Sequence, residues 1–315
     1  MTRTRRALLK RSGAAGAAAG MAATAGCTSV LGIGATNSVK VSSMRFTEDI
    51  VLGYMALESL RANTDLTVLD ETGLGGVTMN FRAVKNGEVT LYWLYTGGAW
   101  ATIPPKHDRV IPDAEELYRA VKREFERVYD LEYLNRAPFN NTYVLVADPG
   151  WVEETGVETM SDFASHVSEG NTDFTVVMGP EFQQRADGWP GLAKHYGFEG
   201  MRGDLNVRNV GSSLTYQIVG QGGAEVGMGF STNPKIRKYG LKTLEDDERF
   251  FPIYNPAPLV GGAALDAKPA MREPLNAIGP SLDTETIMRL NGLVSLQGRD
   301  PQTVAREYLR SEGLI

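Results

Sequence analysis

The hydrophobic pattern is most telling in residues 85–98, KNGEVTLYWLYTGG. Leu91, Trp93 and Tyr95 alternate with Tyr92 and Leu94, so a strand here is apolar on both faces and belongs inside a sheet. A helix end at Lys85 precedes it. Thr96, Gly97 and Gly98 then let the backbone turn sharply at the strand's carboxyl end, where open α/β sheets place their ligands. This aromatic cluster reads as a ligand wall or as plain core packing, and the stretch alone leaves both open.

From residue 39 to residue 315, short β-like runs alternate with amphipathic helical runs, which predicts an α/β fold with mostly parallel strands. Strands are expected at 39–43, 66–70, 89–95, 143–147, 174–178, 205–209, 225–229 and 258–262. The clearest helices are 47–62, with Ile50, Tyr54, Ala56 or Leu57, and Leu60 on one apolar face, and 112–129, with Leu117, Val121, Phe125 and Val128 at helical spacing. The charges of the second helix form a solvated face. Asp300 followed by Pro301 makes an N-cap and first-turn pair for a helix through Leu309, and Asp283 caps the helix before it. These roughly 275 residues suffice for two lobes of ordinary domain size.

The amino-terminal residues break this pattern. Residues 1–27 hold Arg3, Arg5, Arg6, Lys10 and Arg11, no acidic residue, and a small-residue apolar run that stops at Cys27. They read as an export signal. TRRALLK at 4–10 is similar to the twin-arginine export consensus, and TAGC at 24–27 resembles a lipobox whose cysteine is lipidated after cleavage. The apolar run is too short and too rich in Ala and Gly for a membrane span, which needs about 20 strongly apolar residues. Anchoring by lipid at the extracytoplasmic face of the membrane is therefore expected, with residues 28–38 as a tether. Cys27 is the only cysteine, so no disulfide forms within the mature chain.

Charge narrows the partners. The whole chain carries 32 basic and 38 acidic residues; losing the 5 basic residues of the signal leaves 27 against 38, a net charge of −11. An acidic domain without a basic cluster is not built for nucleic acid or anionic lipid. Scarce Lys beside Arg, together with the acidity, points to a salt-rich habitat.

Several polar stretches are candidates for a site. NNTYVLV at 140–146 sets two amides, a Thr and a Tyr before an apolar strand, lining a cleft or forming a turn in which Asn bonds its own backbone. EFQQRADGWPGL at 181–192 places Arg185 on a Gly-containing turn, free to present its fork to a carboxylate or paired with Asp187 or Glu181. FSTN at 230–233 and FPIYNP at 251–256 add aromatics at strand ends. Catalytic equipment is not visible. His107, His166 and His195 fall in no metal-ligand spacing, GxSxG, P-loop and dinucleotide fingerprints are missing, and the acidic run 245–248 reads as an exposed linker. No cofactor or metal is expected.

Six phrases in order resemble the solute-binding proteins of ABC importers for quaternary ammonium compounds, the glycine betaine, carnitine and choline receptors. They are RFTEDIVLGYMA at 45–56, VKNGEVTLYWLYTG at 84–97, FNNTYVL at 139–145, RADGWPGL at 185–192, FSTN, and LEDDERFFPIYNPAPLV at 244–260. The resemblance implies a two-lobed, type II periplasmic-binding-protein-like α/β clamshell with two hinge crossings, lobe I being 39–141 plus 251–315 and lobe II 142–250. It implies a cage of Tyr95, Tyr143, Phe230 and Tyr254 around the ammonium, Arg185 at a ligand carboxylate, and Asn141 where the family can carry an acidic residue near the cation. It also implies a permease with its ATPase as partners, glycine betaine as the leading ligand for osmoprotective uptake, and choline or carnitine as alternatives. Departures lie at the carboxylate end. Ser43, Met44 and Arg45 stand where the family commonly has a Lys, so that either Arg45 replaces it or the ligand is choline-like with no carboxylate; Gly98 stands for a Thr, and Phe230 for a Tyr. An enzyme on the same scaffold, using Asp and Glu of the cleft, is the alternative from another class.

Overall fold

The computed structural model describes residues 37–315, Asp108 and Ala186 excepted. The expected export signal and Cys27 lie outside the described residues. A first sheet takes β1 (Ser38–Met44), β2 (Thr67–Gly75), β3 (Leu91–Tyr95) and β4 (Leu131–Tyr133). A second takes β5 (Tyr143–Ala147), β6 (Thr175–Met178), β7 (Asn206–Asn209), β8 (Val226–Phe230) and β9 (Lys242–Thr243). β10 (Pro256–Gly261) then returns to the first sheet, and the strand orders are β2-β1-β3-β10-β4 and β7-β6-β8-β5-β9.

The pairing is mixed, which corrects the expectation of mostly parallel strands. β1 runs parallel to β2 and β3, and β6 to β7 and β8, whereas β10 is antiparallel to β3 and β4, and β5 to β8 and β9. The exceptions have a common cause. β5 and β10 are the two strands that the chain enters directly from the other sheet, beginning where β8 and β3 end, so they run away from that edge instead of towards it. The unpredicted strands, β4 and β9, have only three and two residues.

Within β3 the alternation does what its pattern dictates. Leu91, Trp93 and Tyr95 enter a core shared with the helix Thr47–Asn63 and the C-terminal helices, while Tyr92 and Leu94 enter another with Phe81 and Phe125. Of its rings only Tyr95 borders the cavity described below; Tyr92 and Trp93 are core. The helix Thr47–Asn63 also departs from its expected single face. Val51, Leu52, Met55, Ala56, Leu57 and Leu60 are all fully buried while Ile50 and Tyr54 are only half-buried, because β1, β2 and three later helices cover it on several sides. Asp300 and Asp283 cap their helices as expected, each accepting from a backbone N–H three residues on at 2.7 Å.

The two connections between the sheets, residues 134–142 and 244–255, are laced together. Asn140 Oδ1 accepts from Tyr254 N at 2.7 Å, Asn141 N donates to Tyr254 O at 3.1 Å, and Thr142 Oγ1 donates to Pro252 O at 2.9 Å. The Asn140 side chain thus serves the neighbouring stretch of chain and not a turn of its own. The acidic run is likewise no free linker: Asp246 accepts from Tyr196 Oη at 2.6 Å and from the backbone N–H groups of Phe250 and Phe251 at 2.9 and 2.8 Å.

After β3 the chain does not turn sharply but starts the helix Thr96–Thr102 at once, packed against the second connection. A Cβ on Gly97 would sit 2.7 Å from the Ile253 carbonyl oxygen and 3.2 Å from Pro252 Cβ. Backbone cannot yield as a side-chain tip can. Gly97→Ala is expected to cost about 1–3 kcal/mol and to lower Tm by several degrees, measured by thermal unfolding. An unchanged Tm contradicts this close approach.

Candidate functional site

The carboxyl ends of β1, β3 and β8 and the start of β5 meet around a cavity of about 900 Å³. Its walls include all seven residues expected to bind ligand: Arg45, Tyr95, Asn141, Tyr143, Arg185, Phe230 and Tyr254. The rings come from two cores. Tyr95 and Tyr254 pack with the first sheet, and Tyr143 and Phe230 with the second. Direct pairing of β5 with β8 sets Tyr143 opposite Phe230, their ring centroids 4.9 Å apart and tilted by 32°. Phe182 and Phe251 back Tyr143 at 5.0 and 5.9 Å. Phe251, the other ring of the FPIYNP stretch, is therefore core.

Arg185 presents its fork to Asp187 and not to open space. Nε donates to Oδ1 at 2.7 Å, and Nη2 forms a second short bond to Oδ2. Asp187 also lies beside the Tyr254 hydroxyl. Burial, followed by the Asp187 charge, pushes that hydroxyl above the usual tyrosine range. The pair holds Arg185 fully protonated and leaves it 35% exposed at the cavity, with the N–H groups of Nη1 not taken up by Asp187. Arg45 is exposed and fixed by two backbone carbonyls at the end of β2, with Nε to Gly73 O at 3.2 Å and Nη2 to Leu74 O at 3.3 Å.

Phe46 and Glu48 are among the residues of the site that escaped the reading of the sequence. Phe46 lies at the mouth, 42% exposed, its ring centroid 5.9 Å from that of Tyr95. Glu48 lies deeper. Its Oε1 accepts from Tyr95 Oη at 2.7 Å and Asn141 Nδ2 at 2.9 Å, and its Oε2 from Asn291 Nδ2 at 2.8 Å. Thr232 is a fourth partner. The signal was present in RFTED, but an acid in the first turn of a helix reads as ordinary dipole chemistry. Burial pushes the Glu48 carboxyl above its ordinary value, although its four partners pull the other way. Beside it, burial likewise raises Asp49, whose Oδ2 accepts from Met44 N.

Among the described residues no group of three or more His, Cys, Asp or Glu side chains is arranged to hold a metal ion. What the cavity offers is aromatic faces, a buried carboxylate and, at Arg185, a guanidinium. Such a set suits a compact organic cation with or without an anionic end.

Comparison with known proteins places this arrangement. Residues 37–311 match the family model described as the substrate binding domain of ABC-type glycine betaine transport systems. The chain is 33% identical over 290 residues to the chemotactic signal transduction system substrate-binding protein CosB of Halobacterium salinarum, covering 88% of this chain and 85% of that one. It is 30% identical over 282 residues to the glycine betaine-binding protein YehZ of Escherichia coli, covering 89% and 92%. A crystal structure described as a glycine betaine/carnitine/choline ABC transporter superposes with a TM-score of 0.77 at 25% identity, over 88% of this chain and 99% of that one.

Proposed function

The chain belongs to the family of substrate-binding domains of ABC-type glycine betaine transport systems, and from that premise we propose that it captures a quaternary ammonium osmolyte, glycine betaine foremost, for a membrane permease and its ATPase. The observation that carries this reading is the convergence of Tyr95, Tyr143, Phe230 and Tyr254, drawn from two separate cores, on one cavity. A trimethylammonium group has no N–H to donate and spreads its charge over methyls. The negative faces of rings hold it best, each contributing about 0.5–2 kcal/mol when desolvated. Arg185 supplies charge-assisted hydrogen bonds to a carboxylate end. Isothermal titration with glycine betaine, carnitine, choline and proline betaine at moderate and high salt is expected to give saturable heat with at least one; silence with all four sinks the proposal.

In this reading residues 39–141 and 251–315 form one lobe and 142–250 the other, closing about the laced connections. Ligand contact and closure are coupled there, because Asn141, Tyr143 and Tyr254 stand on or beside those connections. Small-angle scattering is expected to show a smaller radius of gyration with ligand than without, and an unchanged radius under saturation contradicts closure.

The protein works outside the cytoplasm, anchored by lipid at Cys27 after twin-arginine export. Among the described residues no helix is long and apolar enough to cross a membrane. Cys27→Ser is expected to move the protein from the membrane fraction to the medium. The likeness to CosB favours a second reading in which the same capture serves chemotaxis. Deletion of the gene separates the two by loss of osmoprotected growth or by loss of attraction to the ligand.

A further inference from the structure

Glu48 combines two properties that seldom coexist at no cost. It is 3% exposed, and among the described residues none of its hydrogen-bond partners is a cation. Burying an unpaired carboxylate is expensive, and neutral donors offset only part of that cost. The amides around it repeat the imbalance. Asn141 and Asn291 each turn an N–H to Glu48, and their own oxygens are then buried without a hydrogen bond. Glu48, Asn141 and Asn291 all line the cavity among the aromatic rings. Three side chains that line the cavity thus bring a buried carboxyl and two unpartnered amide oxygens next to the rings that favour a cation.

We propose that Glu48 is the counter-charge that selects a permanent cation: as the ammonium enters the cage, the Glu48 O–H bond breaks, its proton passes to solvent, and the carboxylate balances the trapped charge. The inference rests on the reading of the cavity as an ammonium cage. Without ligand, burial favours the protonated acid; with ligand, the nearby positive charge and the donors from Tyr95, Asn141, Thr232 and Asn291 favour the anion. A neutral molecule of the same shape leaves the acid protonated and gains nothing from it.

Of the groups packed around Glu48, those on the connection, the segment after β8 and the helix Thr284–Ser295 are Asn141, Thr232 and Asn291, which do not titrate. Tyr95 from β3 stays a phenol, its hydroxyl pushed well above its usual value by burial. Asp49, on the same helix as Glu48, is a rival acid, also buried. Arg45, Arg185, Lys235 and Glu181 are the other charged residues that line the cavity.

A quaternary nitrogen carries no proton, so any proton exchanged on binding comes from the protein. Choline is titrated into the native protein from about pH 5 to about pH 8 in buffers of low and high ionisation enthalpy. The expected result is net proton release, with affinity falling up to about tenfold per pH unit below the unliganded value of Glu48 and levelling above it. Glu48→Gln is expected to abolish the release, flatten the pH profile and weaken choline roughly 30-fold. Binding without proton release and without pH dependence overturns the proposal, as does release that persists in Glu48→Gln, which assigns the proton to another acid such as Asp49. The measurement on the native protein decides even if the variant fails to fold. Absence of choline binding at every pH, with the other quaternary ligands equally silent, overturns the cage reading itself.

Discussion

Arg185→Ala weakens glycine betaine by about tenfold or more and leaves choline within about twofold of the native affinity. The ligands share a trimethylammonium head and differ at the other end, so a residue that meets only the carboxylate separates them. Charge-assisted hydrogen bonds contribute about 1.5–3 kcal/mol, and the partial exposure of Arg185 places the effect toward the lower end. The loss has a second source. Asp187, which takes two hydrogen bonds from Arg185, becomes an unpaired anion beside Tyr254, repelling a carboxylate while leaving a cation unharmed or slightly favoured. Titration calorimetry of both ligands against both proteins checks the split. Equal losses make Arg185 a structural residue of its loop and remove it from the ligand's carboxylate end.

Tyr254→Ala, by contrast, weakens glycine betaine and choline alike, by about 5- to 30-fold. Its backbone N–H and carbonyl hold the two connections together and survive the substitution, so the loss belongs to the ring. Tyr254→Phe keeps the aromatic face and loses only the hydroxyl beside Asp187, and is expected to stay within about threefold of native. A similar loss in both variants contradicts a role for the ring face. Tyr143 is less suited to this test because it is 9% exposed and packed among Phe182, Phe230 and Phe251, where truncation also opens the core.

The sequence carried the strands well because their signals are local. β3 and β5 announce themselves as apolar runs, and the caps at Asp283 and Asp300 need only their own neighbours. Strand direction is different. Whether β5 and β10 run with or against their neighbours depends on the edge from which the chain enters the sheet, which no periodicity within those strands records. The helix Thr47–Asn63 misled for a related reason: a helix covered on several sides loses the one-sided stripe, and Ile50 and Tyr54 are not its innermost residues. The cage positions were reached through resemblance of whole phrases, since each aromatic alone reads equally as core, as Phe251 is. Glu48 was invisible as a buried charge because its partners lie at residues 95, 141, 232 and 291, brought together only by the fold.

The central claim is that the cavity holds a fixed positive charge against aromatic faces. Choline and its neutral carbon isostere, in which a carbon atom replaces the nitrogen, have nearly the same shape and bury nearly the same apolar surface. Four rings at about 0.5–2 kcal/mol each amount to about 2–8 kcal/mol that only the cation receives. Competition of the two for the site, read by titration calorimetry, is predicted to show the isostere at least about 30-fold weaker. Equal affinities would mean that the cavity binds shape alone, and the assignment of a quaternary ammonium cage would be contradicted.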